Sequence, residues 1–143
     1  MKKGLFVSGF VVIYSVVTQN EPQIQVGENS RSIISGNQTR QYLLYIPEGY
    51  DGKTNLPLVF LFHGSGMTSQ QAMTTTDLSK VADKKKFIIA APQSILPYWN
   101  TNPGAGEINY DVELVKDLIR QISSKVAIDQ KEYMPLDIQV AHG

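Results

Sequence analysis

The spacing of hydrophobic positions changes character along the chain, from alternation, to unbroken runs, to helical repeats. Arg31 to Ser35 and Thr39 to Ile46 read as two strands around Gly36-Asn37, a pair suited to a tight hairpin turn. In the second strand Tyr42, Leu44 and Ile46 alternate with Leu43 and Tyr45, so both faces are apolar, and Pro47 ends it. Glu48 to Pro57, with Gly49, Gly52 and Asn55, is a loop. Leu58 to Phe62 is continuously apolar and predicts a strand buried on both faces, as in a parallel sheet. Asp77 to Lys85 reads as a helix that Asp77 can cap, with Leu78, Val81 and Ala82 at i, i+3 and i+4. Phe87 to Ala91 is a second buried strand, closed by Pro92, and Pro97 to Gly106 is a loop. From Tyr110 to Val126 the pattern is helical, with Leu114, Val115, Leu118, Ile119 and Ile122 on one face and Asp111 and Glu113 suiting the dipole at its start. The order strand, strand, strand, helix, strand, helix predicts an α/β fold, mostly a parallel sheet behind an N-terminal antiparallel hairpin.

The first residues follow a different rule. Lys2 and Lys3 precede an apolar run from Leu5 to Val17. At roughly 13 residues the run is short of the ~20 a membrane span needs, and it matches the apolar core of a secretory signal peptide. A cut ahead of Gln19 makes residues 1–18 the signal and implies a secreted or periplasmic protein, with no membrane contact after its removal. A buried N-terminal strand and an uncleaved anchor are the alternatives. Residues 19–30, polar and holding Pro22 and Gly27, read as a linker into a domain over residues 31–131.

Composition narrows the chemistry. The 13 basic and 13 acidic side chains give zero formal net charge, so nothing attracts a polyanion and nucleic acid is not an expected partner. There is no cysteine, which excludes disulfides, thiolate zinc sites and a cysteine nucleophile. His63 and His142 are the only histidines, without metal-ligand spacing, and no metal or cofactor is expected. Pro103-Gly104-Ala105-Gly106 lacks the G-K-[ST] of a phosphate cradle. Lys84-Lys85-Lys86 reads as a solvated helix end, and chance accounts for the sequon at Asn37.

The most informative segment is Pro57 to Gly66, PLVFLFHGSG. A buried strand ending in His-Gly-x-Gly resembles the oxyanion-hole segment of α/β-hydrolases. Acyl transfer develops negative charge on oxygen, and backbone N–H groups aimed at that oxygen stabilise it. Glycines let the backbone approach closely and adopt unusual dihedrals. Ser65 and Gly66 are the candidate donors, with His63 and Gly64 supporting the loop. The plain alternative is a strand-to-loop turn with a hydrogen-bonded histidine.

A longer resemblance surrounds this segment. Arg40 to Tyr50, RQYLLYIPEGY, resembles the R-x-Y-x-x-x-x-P-x-x-Y opening of polyhydroxybutyrate depolymerase and feruloyl esterase-like proteins. P-L-V-x-x-x-H-G follows, then Val81-Ala82-Asp83, Ala91-Pro92-Gln93, Trp99-Asn100, Asp111 opening an apolar helix, and Ile128-Asp129, all in the family's order. The resemblance implies the N-terminal half of an α/β-hydrolase fold, using Ser, Asp and His without a cofactor on polyester, feruloyl or acetyl esters.

The chain also departs from the family pattern. Tyr110 replaces the first aspartate of V-D-D, and the cysteines around W-N are absent. The nucleophile elbow G-x-S-x-G, due after Ile128-Asp129, is missing, so no catalytic Ser, Asp or His is assigned. Instead the tail runs Lys131 to Gly143, with Pro135 breaking the strand that should lead into the elbow. Codons for this tail, read from the third base of the Glu132 codon, permit V-Y-A-T-G-[YH]-S-[SG]-G-A, which contains the elbow. Residues 132–143 are therefore read as an aberrant, frameshifted tail, with a natural ending or a sequencing error as alternatives. On this reading the chain is an incomplete, inactive ester hydrolase, prone to self-association through an open sheet edge. The alternative function is a small secreted binding module that keeps half of the fold.

Overall fold

The computed structural model describes residues 23–131; the segments read as signal peptide and frameshifted tail lie outside the described residues. Strand β1 (Gly27–Ser35) and strand β2 (Gln38–Ile46) pair antiparallel in unbroken register, from Gly27 opposite Ile46 to Ser35 opposite Gln38. At the turn Gly36 has φ 56° and Asn37 φ 60°. Two successive left-handed residues give the turn a twist that matches the strands it joins. Gly36 also has a packing reason, because a Cβ there would stand 2.7 Å from the Tyr110 ring.

β1 begins four residues before Arg31, inside the stretch read as linker. An edge strand pairs on one side only and does not need apolar alternation. Its start is tied instead by the Asn29 amide, which donates to the carbonyls of Gln25, Gly27 and Leu44 and accepts from the Gln25 N–H.

Strand β3 (Leu58–Phe60) and strand β4 (Ile88–Pro92) complete a sheet of order β1-β2-β4-β3, with β4 antiparallel to β2 and parallel to β3. β4 is buried at every position. Its two faces meet different layers. Ile88 and Ala90 join Tyr42, Leu44 and Ile46 of β2 against Leu114, Leu118 and Ile122 of helix α3 (Tyr110–Lys125). Ile89 and Ala91 join Leu43 against Met73 of helix α1 (Ser69–Thr76) and Ala82 of helix α2 (Leu78–Lys85). The result is a three-layer α/β sandwich, and the strict alternation along β2 and β4 assigns each side chain its layer.

Three details differ from the pattern-based expectation. β3 is shorter than Leu58–Phe62 and only partly buried, and Phe62 is 45% exposed. Among the described residues β3 is the sheet's edge, so its apolar run has one strand neighbour rather than two. Helix α1, which has little apolar periodicity, forms around a capping box. Thr68 accepts from the Gln71 N–H, and Gln71 accepts from the Thr68 N–H. Asp77 stands at the start of α2 but is left-handed, with φ 51°, and its side chain makes no capping bond; it pairs with Lys80 instead.

Two tyrosines hold the loop after β2. The Tyr45 hydroxyl donates to Asp83, which also accepts from the Glu48 N–H, and burial followed by that hydrogen bond pushes the Tyr45 pKa up to about 12. The Tyr50 hydroxyl accepts from the Ala127 N–H at 3.0 Å. Among the described residues no helix is long and apolar enough to cross a membrane.

The turn contact is testable. A left-handed residue with a side chain costs roughly 1–2 kcal/mol by itself, so Gly36→Ala should lower stability by more than that while Tyr110 is present. In a Tyr110→Ala background the cost should fall to the backbone share alone. Equal costs in both backgrounds, by urea unfolding, would show that the ring contact contributes nothing.

Candidate active site

The site is built where β3 and β4 end. Leu61 still donates to the Ala90 carbonyl, and the chain then leaves the sheet as His63-Gly64-Ser65-Gly66. Met67 N–H closes a turn on the Gly64 carbonyl at 3.1 Å. Gly66, the third residue of that turn, has φ 72°, the left-handed value that a glycine takes at no steric cost. The Met67 thioether covers Gly64, with its sulfur 3.2 Å from where a Cβ would sit.

His63 is 3% exposed and fully used. Its Nε2 accepts from the Ser94 N–H at 3.1 Å and lies 3.1 Å from the Gln93 amide nitrogen, while Nδ1 lies 2.9 Å from the Gly64 carbonyl. This pattern puts the ring proton on Nδ1, donating to Gly64. The ring also packs 4.9 Å from Trp99, whose indole N–H donates to the His63 carbonyl at 2.9 Å. Both nitrogens of His63 are engaged in holding the loop, and neither is free to take a proton from Ser65.

Of the two N–H groups read as oxyanion donors, Gly66's is held by the Pro97 carbonyl at 2.7 Å. No acceptor among the described residues takes the Ser65 N–H, and Ser65 is exposed. The turn therefore presents one open backbone donor beside one that is already bonded.

The supports reach back to the motif residues. Gln93 accepts from the Ser69 N–H at the start of α1 and, through its amide nitrogen, meets His63 and the Ser94 carbonyl. Asp111 accepts from Arg40 at 2.7 Å with one oxygen and from the Asn100 N–H at 2.8 Å with the other. Arg40 is 2% exposed and also donates to the Gln93 carbonyl. Asn109 caps α3 on the N–H groups of Asp111 and Val112 and donates to the Asn100 carbonyl. The scattered signature residues Arg40, Gln93, Trp99, Asn100 and Asp111 thus form one network under the His63 loop. Sequence reasoning missed Ser94 and Pro97, whose contributions are a backbone N–H and a carbonyl that any residue type supplies. Among the described residues no group of three or more His, Asp and Glu is placed to hold a metal.

No family model matches the chain, and no curated protein does. Solved structures do match. The LpqC poly(3-hydroxybutyrate) depolymerase from Bordetella parapertussis is 20% identical over 71% of this chain, with a TM-score of 0.53. A ferulic acid esterase is 19% identical over 73%, with a TM-score of 0.56. An S-formylglutathione hydrolase from Agrobacterium tumefaciens is 12% identical over 76%, with a TM-score of 0.59. The chain spans 39%, 46% and 48% of these three structures, less than half of each. At such identities the likeness is one of fold, and the fold is part of an α/β-hydrolase.

The network predicts a large penalty for breaking its charge pair. Asp111→Ala leaves the Arg40 guanidinium buried without a counter-charge, and stability should fall by about 3 kcal/mol. Arg40→Met with Asp111→Leu, which removes both charges, should recover more than half of that loss. Urea unfolding of the single and double variants checks this, and a single-variant loss under about 0.5 kcal/mol would mean that the pair behaves like a surface ion pair.

Proposed function

We propose that this chain carries the oxyanion-binding part of a secreted carboxylic ester hydrolase of the polyhydroxybutyrate depolymerase or feruloyl esterase type. The observation that carries this reading is the Ser65 N–H, which no described residue accepts, on an exposed residue of a turn held by His63, Pro97 and Trp99. A preorganised donor of this kind is what a tetrahedral acyl-transfer intermediate needs, and losing one typically costs about 2.7–4 kcal/mol of transition-state stabilisation. Gly66 N–H becomes the second donor if the Pro97 carbonyl gives it up. The fold shared with structures named depolymerase, esterase and hydrolase supports the reaction class.

The nucleophile, the base and the acid are not among the described residues. We place them in the frame that opens near Lys131. The parallel bridge between Leu56 and Ile128, with Leu56 N–H on the Ala127 carbonyl and Asp129 N–H on the Leu56 carbonyl, supports this. It sets Ile128 parallel to Leu56, two residues ahead of β3, just before the turn at Gln130-Lys131. The elbow serine would attack the ester carbonyl, the histidine would take its proton and the aspartate would orient the histidine. No cofactor or metal enters this scheme. On this reading the chain in its present frame is inactive, and its β3 edge, unpaired among the described residues, together with exposed Phe62 favours self-association.

Two outcomes are expected. The purified chain should not hydrolyse a short p-nitrophenyl ester above background, whereas the chain with its frame moved near Lys131 should hydrolyse it and lose that activity when the elbow serine becomes alanine. Turnover by the present chain that disappears on Ser65→Ala would instead make Ser65 the nucleophile. The second outcome concerns export. N-terminal sequencing of the exported protein should begin near Gln19, because Leu5 to Val17 is of signal length. Intact Met1 in a cytoplasmic fraction would overturn the secretory assignment.

A further inference from the structure

The segment between β4 and α3 breaks the usual rule of burial. Ile95, Leu96 and Tyr98 are 57%, 51% and 57% exposed. Yet the backbone that carries them is fixed. The Ser94 N–H and Trp99 indole are bonded to His63, the Ser94 hydroxyl bonds the Leu96 carbonyl, and the Pro97 carbonyl holds the Gly66 N–H. A floppy loop can expose apolar side chains for want of structure. An anchored one that does so presents them, and contiguous apolar display on a rigid support marks a binding surface.

The position and composition of the patch narrow the occupant. The carbonyl of Pro97, between Leu96 and Tyr98, takes the Gly66 N–H, so the backbone of the segment lies against the turn that holds Ser65. From Ser94 to Trp99 the segment has no charged residue. The hollow that Ile95, Leu96 and Tyr98 share with Tyr110 has a volume of about 250 Å³; its polar walls are the uncharged Gln38 and Asn100 and the ion-paired Arg40 and Asp111. That is below the roughly 300–1,000 Å³ of sites for drug-sized ligands, so it suits one ring or one short chain rather than a polymer segment.

We infer that Ile95, Leu96 and Tyr98 form the subsite for the apolar acyl group of the ester, next to the oxyanion turn. This rests on the ester-hydrolase reading above and adds a substrate class to it: esters of small apolar acids, preferred over acetate esters. Substrate binding then covers the exposed side chains, and selectivity follows from the apolar area buried rather than from charge.

Trp99, the only tryptophan, is the reporter, since it sits next to Tyr98 and packs on Phe62 and His63. Its fluorescence is followed while the full chain is titrated with methyl hexanoate and with methyl acetate. Methyl hexanoate should bind saturably and about tenfold or more tightly than methyl acetate, because each buried methylene adds to affinity. Ile95→Ser with Leu96→Ser, and separately Tyr98→Ser, should weaken hexanoate binding at least about fivefold with unchanged far-UV circular dichroism and thermal midpoint, since these side chains are largely in solvent. Equal affinity for the two esters, or affinity unmoved by both variants, overturns the inference. So does a chain that is dimeric by sedimentation, becomes monomeric with Ile95→Ser and Leu96→Ser, and does not bind hexanoate, because the patch is then a protein contact. Failure of the ester-hydrolase reading shows separately, as a frame-shifted chain that hydrolyses no ester while hexanoate binding is intact.

Discussion

Burying a guanidinium that is 2% exposed is costly without a counter-charge, and the answer to that demand organises the end of the sheet where the His63 loop stands. Arg40 stands near the start of β2, Asp111 in the first turn of α3, and the Gln93 carbonyl just past β4. Satisfying one side chain therefore fixes the first strand pair, the central strand's exit and the long helix relative to one another. The other Asp111 oxygen then takes the Asn100 N–H, which pins the loop that carries Trp99. A buried ion pair adds little to net stability compared with an apolar substitute of the same shape. Its value here is positional, since no apolar contact would fix the bearing of that loop so narrowly.

The His63 loop is held from above by the same economy. One imidazole accepts from a backbone N–H, returns a proton to the carbonyl next to it, and supplies a face for an indole. The histidine works as a brace, and the nearby position proposed to bind the oxyanion is the peptide at Ser65. An oxyanion donor needs rigidity more than strength, because its advantage over water is that it does not have to reorient as charge develops. Buried, hydrogen-bonded supports such as His63 and Gln93 provide that rigidity, and glycines stand on either side of Ser65.

The far side of the sheet is less finished. Among the described residues β3 has β4 on one flank and no strand on the other, with a single bridge between Leu56 and Ile128 just ahead of it. Leu58, Ile119 and Ile128 form the apolar side of an open groove of about 330 Å³ there, with Arg120, Ser123 and Gln130 on its other walls. The apolar residues of β3 and the Ile119 side of α3 thus have composition suited to a central strand and its covering helix.

Much of this was legible in the chain. Alternation on β2, the unbroken run of β4 and the repeat Leu114, Leu118, Ile122 each state a local period and a buried face, and those depend only on neighbours in sequence. Gly36-Asn37 and the His-Gly-Ser-Gly turn are similarly local, because φ near +60° selects few residue types. The sequence was silent on β1 before Arg31 and on α1. An edge strand and a polar capped helix are stabilised by hydrogen bonds, which carry no hydrophobic period. It overstated the burial of Leu58 to Phe62, since composition reports what a strand is suited to pack against and only the assembled sheet decides whether a neighbour is there. Tertiary structure alone decided that Gly66 donates to Pro97 while Ser65 stays open, and that Arg40, separated from Asp111 by 71 positions, is its partner. Backbone N–H groups are identical along the chain, and long-range pairing is written in no local pattern. Which of them is left free is a property of how the loops meet.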